Sequence, residues 1–199
     1  GRAFARNIGA RNSSGDIIVF IDVDCRPQGE EFFDAFIKDL GDGVDVSCGV
    51  VQVPGLDFWS RYQRDSLLRR QSVSLKYRPE FGASASFAVR RSIFTLCGGF
   101  DENYKHYGFE DRDLICRLST VGEVSWNYGA AVVHCDRLTL YGVLRKMEEA
   151  AGNSAKLFSS RHANAYRSLG YAGVDARIHP LLRPLGWLAP KSKRAIDML

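Results

Sequence analysis

Apolar and polar residues follow two different periods along this chain, and the switches between them mark out its elements. The run Ile17-Ile18-Val19-Phe20-Ile21 is apolar at every position, the signature of a strand covered on both faces. Before it, residues 2–11 are helix-like, and Asn12-Ser13-Ser14-Gly15-Asp16 supplies a turn. After it, Phe33, Phe36, Ile37 and Leu40 recur at helical spacing until Gly41-Asp42-Gly43 stops the helix. Val44, Val46, Cys48 and Val50 then alternate with small or polar residues, the period of a strand, and residues 56–71 read as an aromatic, arginine-rich helix.

Residues 84–90 predict a further strand, and Ser92 is placed to cap a short helix that Gly98-Gly99 ends. A polar, aromatic loop over 101–109 leads into the clearest helix, 110–121, which Gly122 terminates. Residues 123–127 and 130–133 predict two short strands separated by a turn, with His134 just past the second. An amphipathic helix follows over 140–161, carrying Leu144, Met147, Ala151, Ala155 and Phe158 at three- and four-residue steps. Strands alternating with helices place the chain in the α/β class, with a mixed, mostly parallel sheet flanked by helices. The expected organisation is one domain over 1–137, with a helix and irregular tail over 138–199 packed on it.

Within that tail, residues 179–188 mix proline, arginine and apolar side chains, and Lys191, Lys193 and Arg194 follow. The stretch suits either a cover over the core or peripheral contact with an anionic membrane surface. The cover is the expectation, because interfacial anchoring usually takes a longer continuous amphipathic helix.

At 199 residues, 45% of them hydrophobic and 12% aromatic, the chain has ample material for one globular core and a tail. Twenty-seven basic residues against 23 acidic ones leave a formal charge of +4, with the arginines scattered rather than gathered in a stripe. That balance argues against nucleic acid as a partner and for a small anionic substrate. The five cysteines (Cys25, Cys48, Cys97, Cys116, Cys135) show no paired spacing and fall mostly at apolar positions. They point to reduced thiols in a cytoplasmic setting rather than to a zinc site. No stretch approaches the roughly 20 apolar residues of a membrane span.

Candidate chemistry starts at Asp22-Val23-Asp24, where the first apolar strand ends. Ligands of open α/β sheets gather at such strand ends. Strand alternation would point Asp22 and Asp24 to one side, giving two hard oxygen donors suited to Mn²⁺ or Mg²⁺ holding a diphosphate. The plainer alternative is a pair of acids capping a loop. A second acidic group opens the helix at 110. Asp111, Leu114, Ile115 and Leu118 share one face by their spacing, so Asp111 is expected inward, and Asp113 with Arg117 as an ordinary exposed ion pair. Acids in a first helical turn also stabilise the helix dipole, which is the alternative for Glu110 and Asp111. His134 could reach the same cleft as a metal ligand or serve as a hydrogen-bonded structural residue.

Four blocks in this order, Ala5-Arg6-Asn7-Ile8-Gly9, Asp22-Val23-Asp24, Gly98-Gly99-Phe100-Asp101-Glu102 and Glu110-Asp111-Arg112-Asp113-Leu114, with His134 after them, resemble the family-2 glycosyltransferases of the GT-A fold. The resemblance implies an inverting transferase that moves a sugar from a nucleotide-sugar donor to a hydroxyl of a saccharide, lipid-linked or other acceptor. By that resemblance Asp24 is the main metal ligand, Asp22 lies near the ribose or the metal, and His134 matches a further ligand position. Asp111 is the catalytic base, Glu110 binds sugar hydroxyls, and Arg6 lies where nucleotide contacts occur. Phe109 stands where an aromatic stacks on an acceptor sugar, or else packs in the core at the helix start. Gly98-Gly99 is assigned no chemistry beyond stopping a helix.

Members of that family begin with a β-α-β half that holds the nucleotide base, and this chain opens on Gly1 without a counterpart to it. The expectation is therefore an N-terminally truncated domain with unpaired strand edges, inactive or sticky as an isolated piece. A non-catalytic carbohydrate- or nucleotide-binding module of the same fold is the alternative reading. A polyanion-binding domain is a third, motivated by the charge alone.

Overall fold

The structure is a computed structural model that describes residues 1–136, 138–179 and 181. The chain divides into two compact units, Gly1–Phe158 and Ser159–Leu199. The proline-rich stretch and the basic residues after it fall, apart from His179 and Leu181, outside the described residues.

The first unit runs α1 (Arg2–Arg11), β1 (Ile17–Ile21), β2 (Cys25–Pro27), α2 (Phe32–Gly41), β3 (Val46–Gln52), α3 (Phe58–Gln71), β4 (Ser86–Arg90), α4 (Arg91–Leu96), α5 (Glu110–Leu118), β5 (Val124–His134) and α6 (Leu140–Glu149). A π turn, Ala150–Ser154, then leads into α7 (Ala155–Arg161), so the helix expected over 140–161 is present with a bulge inside it. In the second unit α8 (Ala163–Ser168) is followed by a short 3₁₀ turn at Tyr171–Val174. There Asp175 accepts a hydrogen bond from Tyr166 Oη at 2.9 Å and pairs with Arg177 at 2.6 Å.

The five strands are ordered β1-β4-β3-β5-β2. The sheet is mixed, as expected, but not mostly parallel. β3 and β5 pair in parallel, whereas β1 with β4, β4 with β3, and β2 with β5 are antiparallel. β1, β3 and β5 nevertheless run in one direction. The difference arises because β4 inserts between β1 and β3 in the opposite sense, and β2 folds straight back along β5. β1 is an edge strand among the described residues, and both its faces meet the core. Ile18 and Phe20 join one cluster with Phe87, Phe94, Phe100, Leu114 and Leu118, while Ile17, Val19 and Ile21 lean on another built around Phe32, Phe36 and Leu40 of α2. Phe20 is the pivot of the first cluster, with ring centroids of Phe87, Phe94 and Phe100 at 5.7, 5.5 and 5.4 Å.

Residues 124–134 form one strand rather than the two expected. The turn signal at Tyr128-Gly129 is a bulge, in which Asn127 Oδ1 accepts from Gly129 N and Ala130 N at 3.0 and 3.1 Å while the pairing to β3 shifts register. The bulge presses Ala130 O against Gly49, where any Cβ would strike that oxygen and Ser86 Oγ. Ser92 lies inside α4, which starts two residues earlier than a Ser92 cap implies, with Arg90 at the cap position and no side-chain cap bond.

The largest departure concerns α5. Asp113 is fully buried, and Arg117 donates to it at 2.9 Å while also donating to Cys97 O at 2.8 Å and Gly99 O at 2.9 Å. Tyr104 Oη donates to the same carboxylate at 3.4 Å. The buried face of α5 is therefore wider than its apolar stripe, because the loop through Gly98 and Gly99, both left-handed at φ 75° and 70°, wraps over it. Removing one partner of a buried, hydrogen-bonded ion pair strands the other. Arg117→Met is thus expected to cost about 3–5 kcal/mol in denaturant unfolding, against less than about 1 kcal/mol for an exposed pair.

Candidate active site

The acidic motif does not sit on a strand. β1 stops at Ile21, Asp22 N donates to Ala85 O at 3.1 Å, and Cys25 N donates back to Asp22 O at 2.9 Å, closing a four-residue turn with Val23 fully exposed at its tip. The turn reverses the chain into β2, which pairs Cys25 with His134. Cys135 N then donates to Asp24 O at 2.7 Å. This brings Asp24 Oδ2 to 3.5 Å from His134 Nε2. The two acids accordingly have different partners instead of converging by alternation: Asp24 faces His134, and Asp22 Oδ1 accepts from Arg6 at 2.6 Å.

Arg6 lies on α1 and spans the site. Its other terminal nitrogen donates to Glu110 Oε1 at 3.0 Å, and its guanidinium lies 5.2 Å from the centre of the Phe100 ring. Burial works against the Arg6 charge, yet Asp22, Asp111 and Glu110 together hold its pKa above the ordinary value. The next residue holds the loop beneath. Asn7 Nδ2 donates to Phe100 O at 2.8 Å and Glu102 Oε1 at 2.9 Å, and Asn7 Oδ1 accepts from Phe100 N at 2.9 Å. Sequence reasoning gave Asn7 no role; a polar residue at a buried helical position, flanked by Ala3 and Ala10, was the available signal.

The start of α5 is set by Gly108 and Phe109, consecutive left-handed residues at φ 88° and 69°. Phe109 is the only non-glycine residue of positive φ among the described residues. Such a conformation costs an ordinary residue on the order of 1–2 kcal/mol and clusters at functional sites. Its ring is buried against Phe158, with centroids 5.0 Å apart, so its contacts match the core alternative rather than a sugar platform. Glu110 is 4% exposed, and while Oε1 is held by Arg6, Oε2 is buried without a partner. Burial, with Asp111 adding to it, raises the Glu110 pKa against the opposing pull of Arg6. Asp111, expected inward, is instead partly exposed beside it, with Oδ1 accepting from Arg112 N at 2.8 Å. The inward positions are Glu110 and Asp113.

The predicted residues thus form one connected line: His134 to Asp24, through the turn to Asp22, through Arg6 to Glu110, and along the helix to Asp111. Among the described residues, no three of His, Cys, Asp or Glu are grouped so as to hold a metal ion by themselves. The donor set still fits a hard divalent cation. Asp24 offers a carboxylate oxygen and His134 an imidazole nitrogen, and Mg²⁺ or Mn²⁺ bound with a nucleotide takes one or two protein ligands with phosphate and water completing the shell. Asp22 gives Oδ1 to Arg6 and lies at the other end of the same turn. Cys25, whose Sγ lies 3.8 Å from Asp24 Oδ1, stays a thiol: burial, then the charges of Asp24 and Asp22, push it up to about 12.

No curated protein matches the chain in sequence. Among solved structures it is similar to the mannosyltransferase PcManGT from Pyrobaculum calidifontis, determined with GDP-Man and Mn²⁺, with 17% identity and a TM-score of 0.59 over 98% of this chain and 60% of that one. It is also similar to GalNAc-T7, determined with UDP, GalNAc and Mn²⁺, with 17% identity and a TM-score of 0.50 over 74% of this chain and 34% of that one. The chain therefore spans less than two thirds of the length of either protein, and at such identities the likeness shows the fold, mixed α/β of the GT-A type. The profile of glycosyl transferase family 2 matches residues 1–97, which take in Arg6, Asn7 and the acidic turn but not Glu110, Asp111 or His134. Residues 1–97 thus resemble glycosyl transferase family 2, and the fold agrees with that likeness.

Proposed function

We propose that the site belongs to an inverting, metal-assisted glycosyltransferase acting on a nucleotide-sugar donor and an acceptor hydroxyl. The observation that carries the reading is the line from His134 and Asp24, through the acidic turn to Asp22, and through Arg6 to Glu110, the neighbour of Asp111. It sets a candidate cation site and a candidate base on one framework, in a chain whose residues 1–97 resemble family 2. Asp24 and His134 would hold Mn²⁺ or Mg²⁺, which when bound neutralises charge developing on the departing nucleoside diphosphate. Asp111, partly exposed, accepts the proton of the acceptor hydroxyl as its oxygen attacks the anomeric carbon. Attack from the face opposite the leaving group inverts the configuration. Glu110 Oε2, buried and without a partner, is the oxygen that a donor or acceptor hydroxyl would have to reach. Five cysteines without a disulfide suit the reducing cytoplasm as the place of action.

Mn²⁺-dependent release of nucleoside diphosphate across a panel of UDP- and GDP-sugars tests the activity. Silence with every donor favours the non-catalytic binding module. In an active preparation, Asp111→Asn is expected to lower transfer by roughly 10²–10⁴-fold while donor affinity, read by calorimetry, changes little.

The cation site has its own readout. Asp24→Ala and His134→Ala should each weaken Mn²⁺ binding, measured by electron paramagnetic resonance of the free ion, by on the order of tenfold or more. Equal affinity in wild type and both variants removes these residues from the site.

Stability should carry the signature of Glu110. Its folded pKa lies above the ordinary 4.5, so the folded state holds the proton more tightly, and stability falls as pH rises from about that value through the folded pKa. Glu110→Gln should flatten that part of the profile in urea melts taken from pH 4 to 8. An unchanged slope would show that another group causes it.

A further inference from the structure

Both terminal nitrogens of Arg6 are engaged by carboxylates of this chain. One terminal nitrogen is 2.6 Å from Asp22 Oδ1 and the other 3.0 Å from Glu110 Oε1. Its plane rests near Phe100, whose backbone is held on both sides by Asn7. The side chain is 15% exposed, and three carboxylates, Asp22, Asp111 and Glu110, act on its charge. Without a cation among them these acids would repel one another across a poorly solvated gap, and the turn and the helix that carry them would separate. Arginine suits the task because its fork presents fixed donors to two carboxylates at once, which a lysine ammonium cannot reproduce in the same geometry.

Resting on the transferase reading above, we infer that Arg6 is a positioning residue. It ties the turn bearing Asp24 to the helix bearing Asp111, and by occupying Oε1 of Glu110 it fixes Oε2 as the oxygen left for a sugar hydroxyl. Arg6 acts through its two carboxylate partners and makes no donor contact of its own. This differs from the nucleotide-contact role that the sequence suggested for the same residue.

The test compares Arg6→Lys with wild type using GDP-mannose, UDP-glucose and UDP-N-acetylglucosamine, Mn²⁺ present and nucleoside diphosphate release measured. Arg6→Lys keeps the charge and loses the double bridge, so kcat is expected to fall about 10–100-fold while donor KM stays within about threefold. A tenfold or larger rise in donor KM with kcat retained would make Arg6 a direct donor ligand and overturn the inference; unchanged kcat and KM would overturn it as well. A double-mutant cycle of Arg6→Met and Glu110→Gln in urea unfolding reads the bridge without any activity. Coupling of about fivefold or more in the folding constant supports the strut, and additive effects refute it. If wild type transfers from none of the donors, the transferase reading fails on its own, and the cycle still decides the strut.

Discussion

The site depends on one cation placed among acids. Asp22 and Glu110 arrive from segments 88 residues apart in the chain, and both end on the same guanidinium at 2.6 and 3.0 Å. Burial raises the Glu110 pKa, and the neighbouring Asp111 adds to it. Arg6 offsets both effects at the cost of its own desolvation. Compensation of this kind is strict in geometry, since a buried ion pair gains enough to repay lost hydration only when its hydrogen bonds are well formed. The surroundings of Arg6 are built accordingly, with Phe100 beneath it and Asn7 fixing the Phe100 backbone.

A second buried pair supports the same helix from behind. Asp113 and Arg117 close the loop of Gly98 and Gly99 over α5, and Asn7 reaches that loop from α1. The first helix thus holds the acidic turn through Arg6 and the glycine loop through Asn7, while α5 holds both through Glu110 and Arg117. The four motif blocks that stand apart in sequence are the four corners of this frame. Polar contacts join the blocks, and a block can serve this frame without a chemical duty of its own. Gly98-Gly99 illustrates the point, because its left-handed backbone offers the Gly99 carbonyl to Arg117 and touches no candidate reacting group.

What could be read without coordinates was local. The apolar run of β1, the helix starting at Glu110 and the glycine stop at residue 98 are set by neighbours within a few positions, and they appear as expected. What could not be read was set by distant partners. Strand direction at β4 depends on the path of the 14 residues between Gln71 and Ser86, which carries no direction signal of its own. The side that Asp113 faces depends on Arg117 meeting carbonyls near residue 98, so helical periodicity misassigned which of two acids turned inward. Asp22 and Asp24 were expected to converge because the strand was extended by three residues; the turn closed by Cys25 N ended it first. Motif order thus names the candidate residues, and it does not name their partners.

The turn has a mechanical consequence that a strand end would lack. Strand alternation would have aimed both acids at one point, tying any cation to the orientation of β1 alone. Instead, Asp24 is held by the backbone bond from Cys135 and faces His134, so its position is fixed by the β2 and β5 pair, whereas Asp22 is fixed by α1. A cation bound at Asp24 and His134 would draw on the rigidity of paired strands, and the acids near Asp111 would draw on packed helices. Arg6 and the backbone of a four-residue turn are what relate the two. Small changes at that junction should therefore alter the distance between cation and base more than any change within either half.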